Sequence, residues 1–269
     1  GGEITLRGVT LSGCKAELGG GIFLSSGCNL TAADTTFRRN YASKDGGAVY
    51  GDEETTMNFE RCVFDANNAS DSGGGIYQYA FNPGGVNLTA STFLSNFATG
   101  GLGGGIYARN VTVSGSNFTS NIAKEFGGAL ATFDDKGPVI DSSLFVKNKA
   151  NVDGGAVRGP ILDFQLAGGD QTTLLTRSVF TSNVAVRYGG GVYTSRLEVS
   201  DTVFTLNKSN RGGGIHSSRA TVSDSRLLNN TAGQQGGGIF LGGLEVNLTI
   251  SRVELINCTA LIAGGGIFL

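Results

Sequence analysis

Short stretches in which apolar and polar residues alternate recur along the whole chain. They are carried by Ile4/Leu6, Leu30/Ala32, Met57/Phe59, Val86/Leu88, Val111/Val113, Leu197/Val199, Ala220/Val222 and Leu248/Ile250, with Thr31, Thr112 and Thr249 among the residues between them. A period of two sends successive side chains to opposite faces and predicts a strand. Five residues after the second apolar position stands a phenylalanine, and three after that an asparagine. The pairs are Phe37/Asn40, Phe64/Asn67, Phe93/Asn96, Phe118/Asn121, Phe145/Asn148, Phe180/Asn183 and Phe204/Asn207. Leu227/Asn230 is a weaker copy, and in Leu11/Cys14 and Leu255/Cys258 cysteine takes the asparagine position. Eight to ten residues further on comes G-G-[GA]-[ILV], ten times, ending in Ile22, Val49, Ile76, Ile106, Leu130, Val157, Val192, Ile215, Ile239 and Ile267.

The spacings between those aliphatic residues are 27, 27, 30, 24, 27, 35, 23, 24 and 28. A mean near 27 residues lies in the range of stacked repeat architectures and is too short for a propeller blade of about 40 residues or more. No segment has the length and periodicity of a helix. The pattern predicts an all-β fold, a single-stranded parallel β-helix of about ten coils with three short strands per coil, running as one continuous domain over residues 1–269. One coil cannot bury its own apolar face, whereas stacking turns each aligned position into an internal ladder. Accordingly the aliphatic positions form one ladder and the phenylalanines a second. Asn40, Asn67, Asn96, Asn121, Asn148, Asn183, Asn207 and Asn230 form a ladder of inward amides at a turn, bonded to one another and to backbone groups left free by the bend.

With these two motifs alternating from residue 3 to residue 269, the chain resembles the polymorphic outer membrane protein repeats of chlamydial surface proteins. That resemblance implies a right-handed β-helix displayed outside the cell as an adhesive or structural passenger. No cofactor is expected. Similar repeats occur in large surface proteins of algae and other eukaryotes.

Composition refines the picture. Forty-five glycines look excessive until 27 are assigned to the ten clusters. The remaining 18 among 242 residues are about 7%, the ordinary frequency. The net charge of −2 and the lack of a basic block argue against a nucleic-acid partner, and no apolar run is long enough for a membrane-spanning helix. Nine of the 20 asparagines begin an N-x-[ST] sequon, where composition alone gives three or four. Asn29, Asn68, Asn87, Asn110, Asn117, Asn229, Asn247 and Asn257 are candidate glycosylation sites in a secreted glycoprotein. Asn207, an inward ladder residue, is expected to stay unmodified. Cys14 and Cys258 lie nine coils apart, about 43 Å, too far for a disulfide, and read as buried thiols. Cys62 replaces a small inward residue, and a bridge between Cys14 and Cys28 is the pairing left open. No spacing suggests a metal site.

Catalysis on a β-helix needs converging carboxylates, or a basic residue beside a bound cation. Asp134, Asp135 and Lys136, then Asp52, Glu53 and Glu54, then Asp163 and Asp170, are the local candidates. All lie where coil length varies and read as solvated loops. His216, with Arg219 nearby, reads as a surface substitution. The chain is therefore expected to be no enzyme, the alternative being a pectate-lyase-like β-helix that binds or cleaves polysaccharide. Phe23, Tyr50, Tyr77, Tyr107, Tyr193, Phe240 and Phe268 each follow the ladder aliphatic. Strand alternation puts them outside, as an exposed contact column for protein or glycan, or else folded over the glycine turn. Both ends lack the polar caps that solenoids use, so the chain reads as an excerpt of a longer solenoid or as a stacking unit. Its partners would be further coils or other subunits, end to end or side by side. The function expected is that of an extracellular structural or adhesive rod in a cell coat, appendage or filament.

Overall fold

The computed structural model describes residues 1–79, 84–132, 136–161, 171–243 and 246–269. They form a parallel β-helix. One coil illustrates the rest. Strand Thr56–Glu60 alternates inward Met57 and Phe59 with outward neighbours, the chain turns at Arg61, and Val63–Asp65 carries Phe64 inward. It turns again at Ala66, passes Asn67 into Asn68–Ala69, and turns a third time at Gly73 before Ile76–Gln78 closes the coil. All strand pairings are parallel and join equivalent positions of successive coils, so Phe37, Phe64 and Phe93 lie in register. Among the described residues the strands form three sheets, of 18, 10 and 10 strands. The first sheet holds the alternating stretches and the aliphatic residues after the glycines, the second the phenylalanines, and the third the pairs after the asparagines. Coils are numbered here by their aliphatic residue, from Ile22 (coil 1) to Ile267 (coil 10).

Three left-handed residues bend each coil, and across the ten coils their φ values run from 47° to 69°. Only the third corner needs glycine, and space rather than φ decides this. A Cβ on Gly127, at the third corner, would stand 2.3 Å from the Leu130 carbonyl oxygen, and one on Gly128 would stand 2.2 Å from the Gly155 carbonyl oxygen of the next coil. At Gly115, a first-corner residue with φ 56°, the nearest atom to a Cβ would be the Ala90 backbone nitrogen, at 4.0 Å. Polar and charged residues such as Asp34, Arg61, Lys147 and Arg177 occupy these roomier corners. Each bears the roughly 1–2 kcal/mol that a left-handed conformation costs an L-residue, and its side chain extends into solvent.

Inside, the stacked phenylalanines from Phe37 to Phe204 are fully buried, with ring centroids 4.4–4.9 Å apart and near-parallel planes. The inter-coil spacing fixes that distance. Beside them runs the asparagine ladder. Asn121 Nδ2 donates to Asn148 Oδ1 of the next coil and to the Phe93 carbonyl of the coil before, and its own Oδ1 accepts from the backbone N–H and Nδ2 of Asn96. The same set repeats from Asn67 to Asn207, so each buried amide fills its bonding capacity. Cys258 continues the ladder, its Sγ accepting from Asn230 Nδ2 and donating to the Leu227 carbonyl. A second polar ladder lies two residues before the phenylalanines. Ser91, Ser116 and Ser143 each accept the backbone N–H of the preceding coil and donate to a carbonyl two residues back. Cys62 stands in this ladder, buried, and its thiol donates to the Ala32 carbonyl. All four cysteines are free thiols, so Cys14 and Cys28 are not bridged, and Cys14 and Cys258 are half-buried rather than buried.

Candidate functional site: the aromatic corner and the adjoining groove

The residues that follow the ladder aliphatics pair in register from coil to coil: Phe23, Tyr50, Tyr77, Tyr107, Ala131, Arg158, Tyr193, His216, Phe240 and Phe268. They face outward and stack. Phe23–Tyr50, Tyr50–Tyr77 and Phe240–Phe268 lie nearly parallel with centroids 5.2–5.3 Å apart, and His216 stacks on Phe240 at 4.7 Å. The column is less open than strand alternation alone predicts. Tyr50 is 8% exposed and Phe240 6%, Tyr77, Tyr107, Tyr193 and Phe268 are half-buried, and only Phe23 is widely exposed, at 49%. The rings lean on one another and over the glycine corner. A Cβ on Gly19, for example, would stand 3.0 Å from Tyr50 Cβ.

His216 is likewise no surface residue. It is 7% exposed between Tyr188, Tyr193 and Phe240, and burial, with Arg211 and Arg187 nearby, pushes its imidazole down to about 3. It is therefore a neutral aromatic ring at neutral pH.

The two halves of the corner differ in charge. In coils 6 to 8, Arg158 lies 5.6 Å from the Phe126 ring and donates to the Thr132 carbonyl. Arg187 stacks on Tyr188 at 4.7 Å while bonding buried Asp153 through both carboxylate oxygens, and Arg211 lies near both Tyr188 and Phe240. In coils 2 and 3 two of the equivalent positions are acidic, while Lys44 stands at the position of Arg187 and pairs with Glu17. Asp45 precedes its glycine corner as Arg211 does, and Asp71 stands two residues before its corner as Arg187 does. Asp45 accepts the Ser72 backbone N–H, and burial raises its carboxyl above the usual range. Burial first, then Asp52 and Asp45, push the Tyr50 phenol up to about 12. These charges are visible in the sequence only when compared at equal repeat positions.

A groove of about 330 Å³ lies on the outer face of the first sheet, lined by Thr172, Arg196, Glu198, Arg219, Thr221, Asn247 and Thr249 among others. Arg196 and Arg219 pair in register on neighbouring coils, as do Glu198 and Thr221. Here Val192–Ser200 and Ile215–Ser223 run as unbroken nine-residue strands. Equivalent stretches elsewhere are split by a loop, as at Asp52–Thr55 between Val49–Gly51 and Thr56–Glu60.

The sequons are sorted by the fold. Asn29, Asn87, Asn117, Asn229, Asn247 and Asn257 are exposed, Asn68 and Asn110 are half-buried, and Asn207 is 0% exposed within the ladder. Of the carboxylates considered for catalysis, Asp134, Asp135, Asp163 and Asp170 lie outside the described residues. Asp52 bonds the Glu53 backbone N–H and is part of a turn. Among the described residues no three His, Cys, Asp or Glu side chains cluster as a metal site.

The model of the right-handed β-helix region matches residues 1–108. The fold is a right-handed parallel β-helix. Two relatives match most of this β-helix. "Probable autotransporter YfaL" of Escherichia coli (strain K12) is 27% identical over 189 residues, covering 66% of this chain and 14% of the relative. "Probable outer membrane protein pmp7" of Chlamydia pneumoniae is 31% identical over 189 residues, covering 65% of this chain and 18% of the relative. The chain thus spans less than a fifth of the length of either relative. No solved structure matches it.

Proposed function

We propose that the chain is the β-helical shaft of an extracellular, cell-surface protein, structural or adhesive rather than catalytic. The observation that carries this reading is the uninterrupted registry of the inner ladders, which makes a stiff rod and presents the aromatic corner as a continuous edge. Likeness to an autotransporter and an outer membrane protein is consistent with a cell-surface location. The exposed sequons, led by Asn29, Asn87 and Asn247, would carry glycans on the outer face of the first sheet, where strand alternation sets each asparagine and its threonine side by side. Protease treatment of intact cells of the source organism should release fragments of this chain. Deglycosylation of those fragments should then convert the exposed sequon asparagines, and not Asn207, to aspartate by mass. A chain found only inside the cell overturns the reading.

The groove favours a second reading. Two guanidinium groups and one carboxylate on neighbouring coils suit an acidic saccharide, since arginine grips carboxylates through paired hydrogen bonds. Incubation with acidic polysaccharides separates the two. Release of new sugar ends that disappears in Arg219→Ala favours the saccharide-active groove, and no release favours the rod.

A further inference from the structure

We propose that Leu206 is the seat of a sugar carried by Asn229, the first N-acetylglucosamine linked there lying against the leucine and shielding it from water. The inference rests on the reading of the exposed sequons as glycosylated, and it gives one of those glycans a structural task. It starts from an outlier. Among the described residues 18 non-glycine residues have a left-handed backbone, and Leu206, with φ 57°, is the one among them with a large apolar side chain. In the other nine coils the second corner holds Gly, Ala, Ser, Asn, Arg or Lys. Leucine bears the same backbone strain as these residues and has no polar group to offer the solvent. It is nevertheless 57% exposed, and the neighbouring corner of coil 7 holds only Ser182.

The next coil supplies the occupant. Asn229 stands at the same corner with φ 53°, exposed, one coil spacing of about 4.8 Å away. The Leu206 N–H donates to the Leu228 carbonyl and the Asn229 N–H to the Ile256 carbonyl, which holds the successive corners in step. Within the sequon Asn229-Asn230-Thr231, Asn230 is locked inward by its bond to the Phe204 carbonyl, so Asn229 points out beside Leu206. A sugar ring on Asn229 Nδ2 therefore reaches across one coil onto the leucine. Leu228, half-buried and in register between Thr205 and Ile256, continues the apolar surface beneath it. The nearest charges lie at the margins: Lys208 beyond the inward Asn207, and Arg226 held by Glu254. A pyranose ring suits such a place, because its C–H face covers apolar surface while its hydroxyls stay in water. Asn87 has no such neighbour, its register partners being Asn58 and Thr112. In the attachment the Asn229 amide nitrogen bonds the anomeric carbon of a lipid-linked oligosaccharide, loses one proton and displaces the donor's diphosphate.

The test is a double-mutant cycle on the chain secreted from a eukaryotic host that attaches N-glycans, with the occupancy of each sequon read by mass. Thr231→Ala removes the sequon without touching Asn229, and Leu206→Ser installs the residue that coil 7 carries. With Leu206 present, loss of the Asn229 glycan should lower the melting temperature by about 3 °C. In Leu206→Ser the same loss should move it by less than about 1 °C. The bond from Thr259 to Thr231 is lost in both backgrounds and cancels. If Thr231→Ala does not fold, Asn229→Asp gives the same comparison. Enzymatic trimming of every glycan to its first N-acetylglucosamine should keep the untrimmed melting temperature, since only that ring reaches the leucine. Three results overturn the proposal alone: Asn229 bare on a chain that carries sugar at Asn87 or Asn247, an equal drop in both backgrounds, or a trimmed chain that melts like Thr231→Ala. Self-association of the glycosylated chain that Leu206→Ser abolishes would assign the leucine to a protein partner, and overturns it too. A chain bare at every sequon overturns the glycan reading above and this inference with it.

Discussion

At the residue scale, the decisive side chains are those whose polar atoms have no choice of partner. Asn121 illustrates it, since four hydrogen bonds tie it to the coils on either side. Replacing it with alanine leaves a backbone N–H, a neighbouring amide and a carbonyl without partners in a dry interior. Asn121→Ala should therefore cost about 3 kcal/mol or more, seen as a lower midpoint in denaturant unfolding. His216 predicts a pH effect. Its folded value of about 3 lies below the ordinary 6.5, so below pH 6.5 the unfolded chain takes up a proton that the folded one refuses. Its contribution is fully present above that point and is lost as the pH falls toward 3, at a slope of up to about 1.4 kcal/mol per pH unit. His216→Phe, the residue present at the same position in coils 1, 9 and 10, should flatten the acid limb of the melting temperature between pH 7 and 4.5. An unchanged acid limb would show that His216 is not the group responsible.

At the element scale, the three corners of a coil share one backbone conformation but not one tolerance. Gly115→Ala should cost less than about 1 kcal/mol, whereas Gly128→Ala forces neighbouring coils apart and should cost several. Gly105→Ala should fall between them: a Cβ there would stand 2.6 Å from the Ala129 carbonyl oxygen, so the next coil has to shift, as the coils carrying Ala48, Ala129 and Ala156 at that position have done. Thermal melts of the three variants check the order. The strands, ladders and glycine corner were legible in the sequence because stacking repeats every local requirement ten times, and repetition is what a single sequence displays. The state of the column was not. Alternation says that Tyr50 and Phe240 point outward, but it does not say that stacked rings cover each other down to 8% and 6% exposure. His216 escaped for the same reason: its burial comes from Tyr188, Tyr193 and Phe240, on other coils or across the glycine corner. The serine ladder was visible only as a run of small residues, since its bonds join hydroxyls to backbone groups that carry no sequence signature.

At the scale of the whole molecule, each coil touches only its neighbours, so stability sums along the rod and damage to one coil splits the stack rather than softening all of it. Asn121→Ala should therefore raise hydrogen exchange in the coils around it while coils 1 and 10 exchange as before. The asparagine ladder adds a directional property. Every amide from Asn40 to Asn207 donates to the coil that follows, and none donates its ladder bond backward. Dipoles comparable to the roughly 3.5 D of a peptide group are thus aligned head to tail along one buried corner of the rod, giving it an electrical polarity from one end to the other. Two such rods laid the same way repel along their length, and two laid opposite ways cancel.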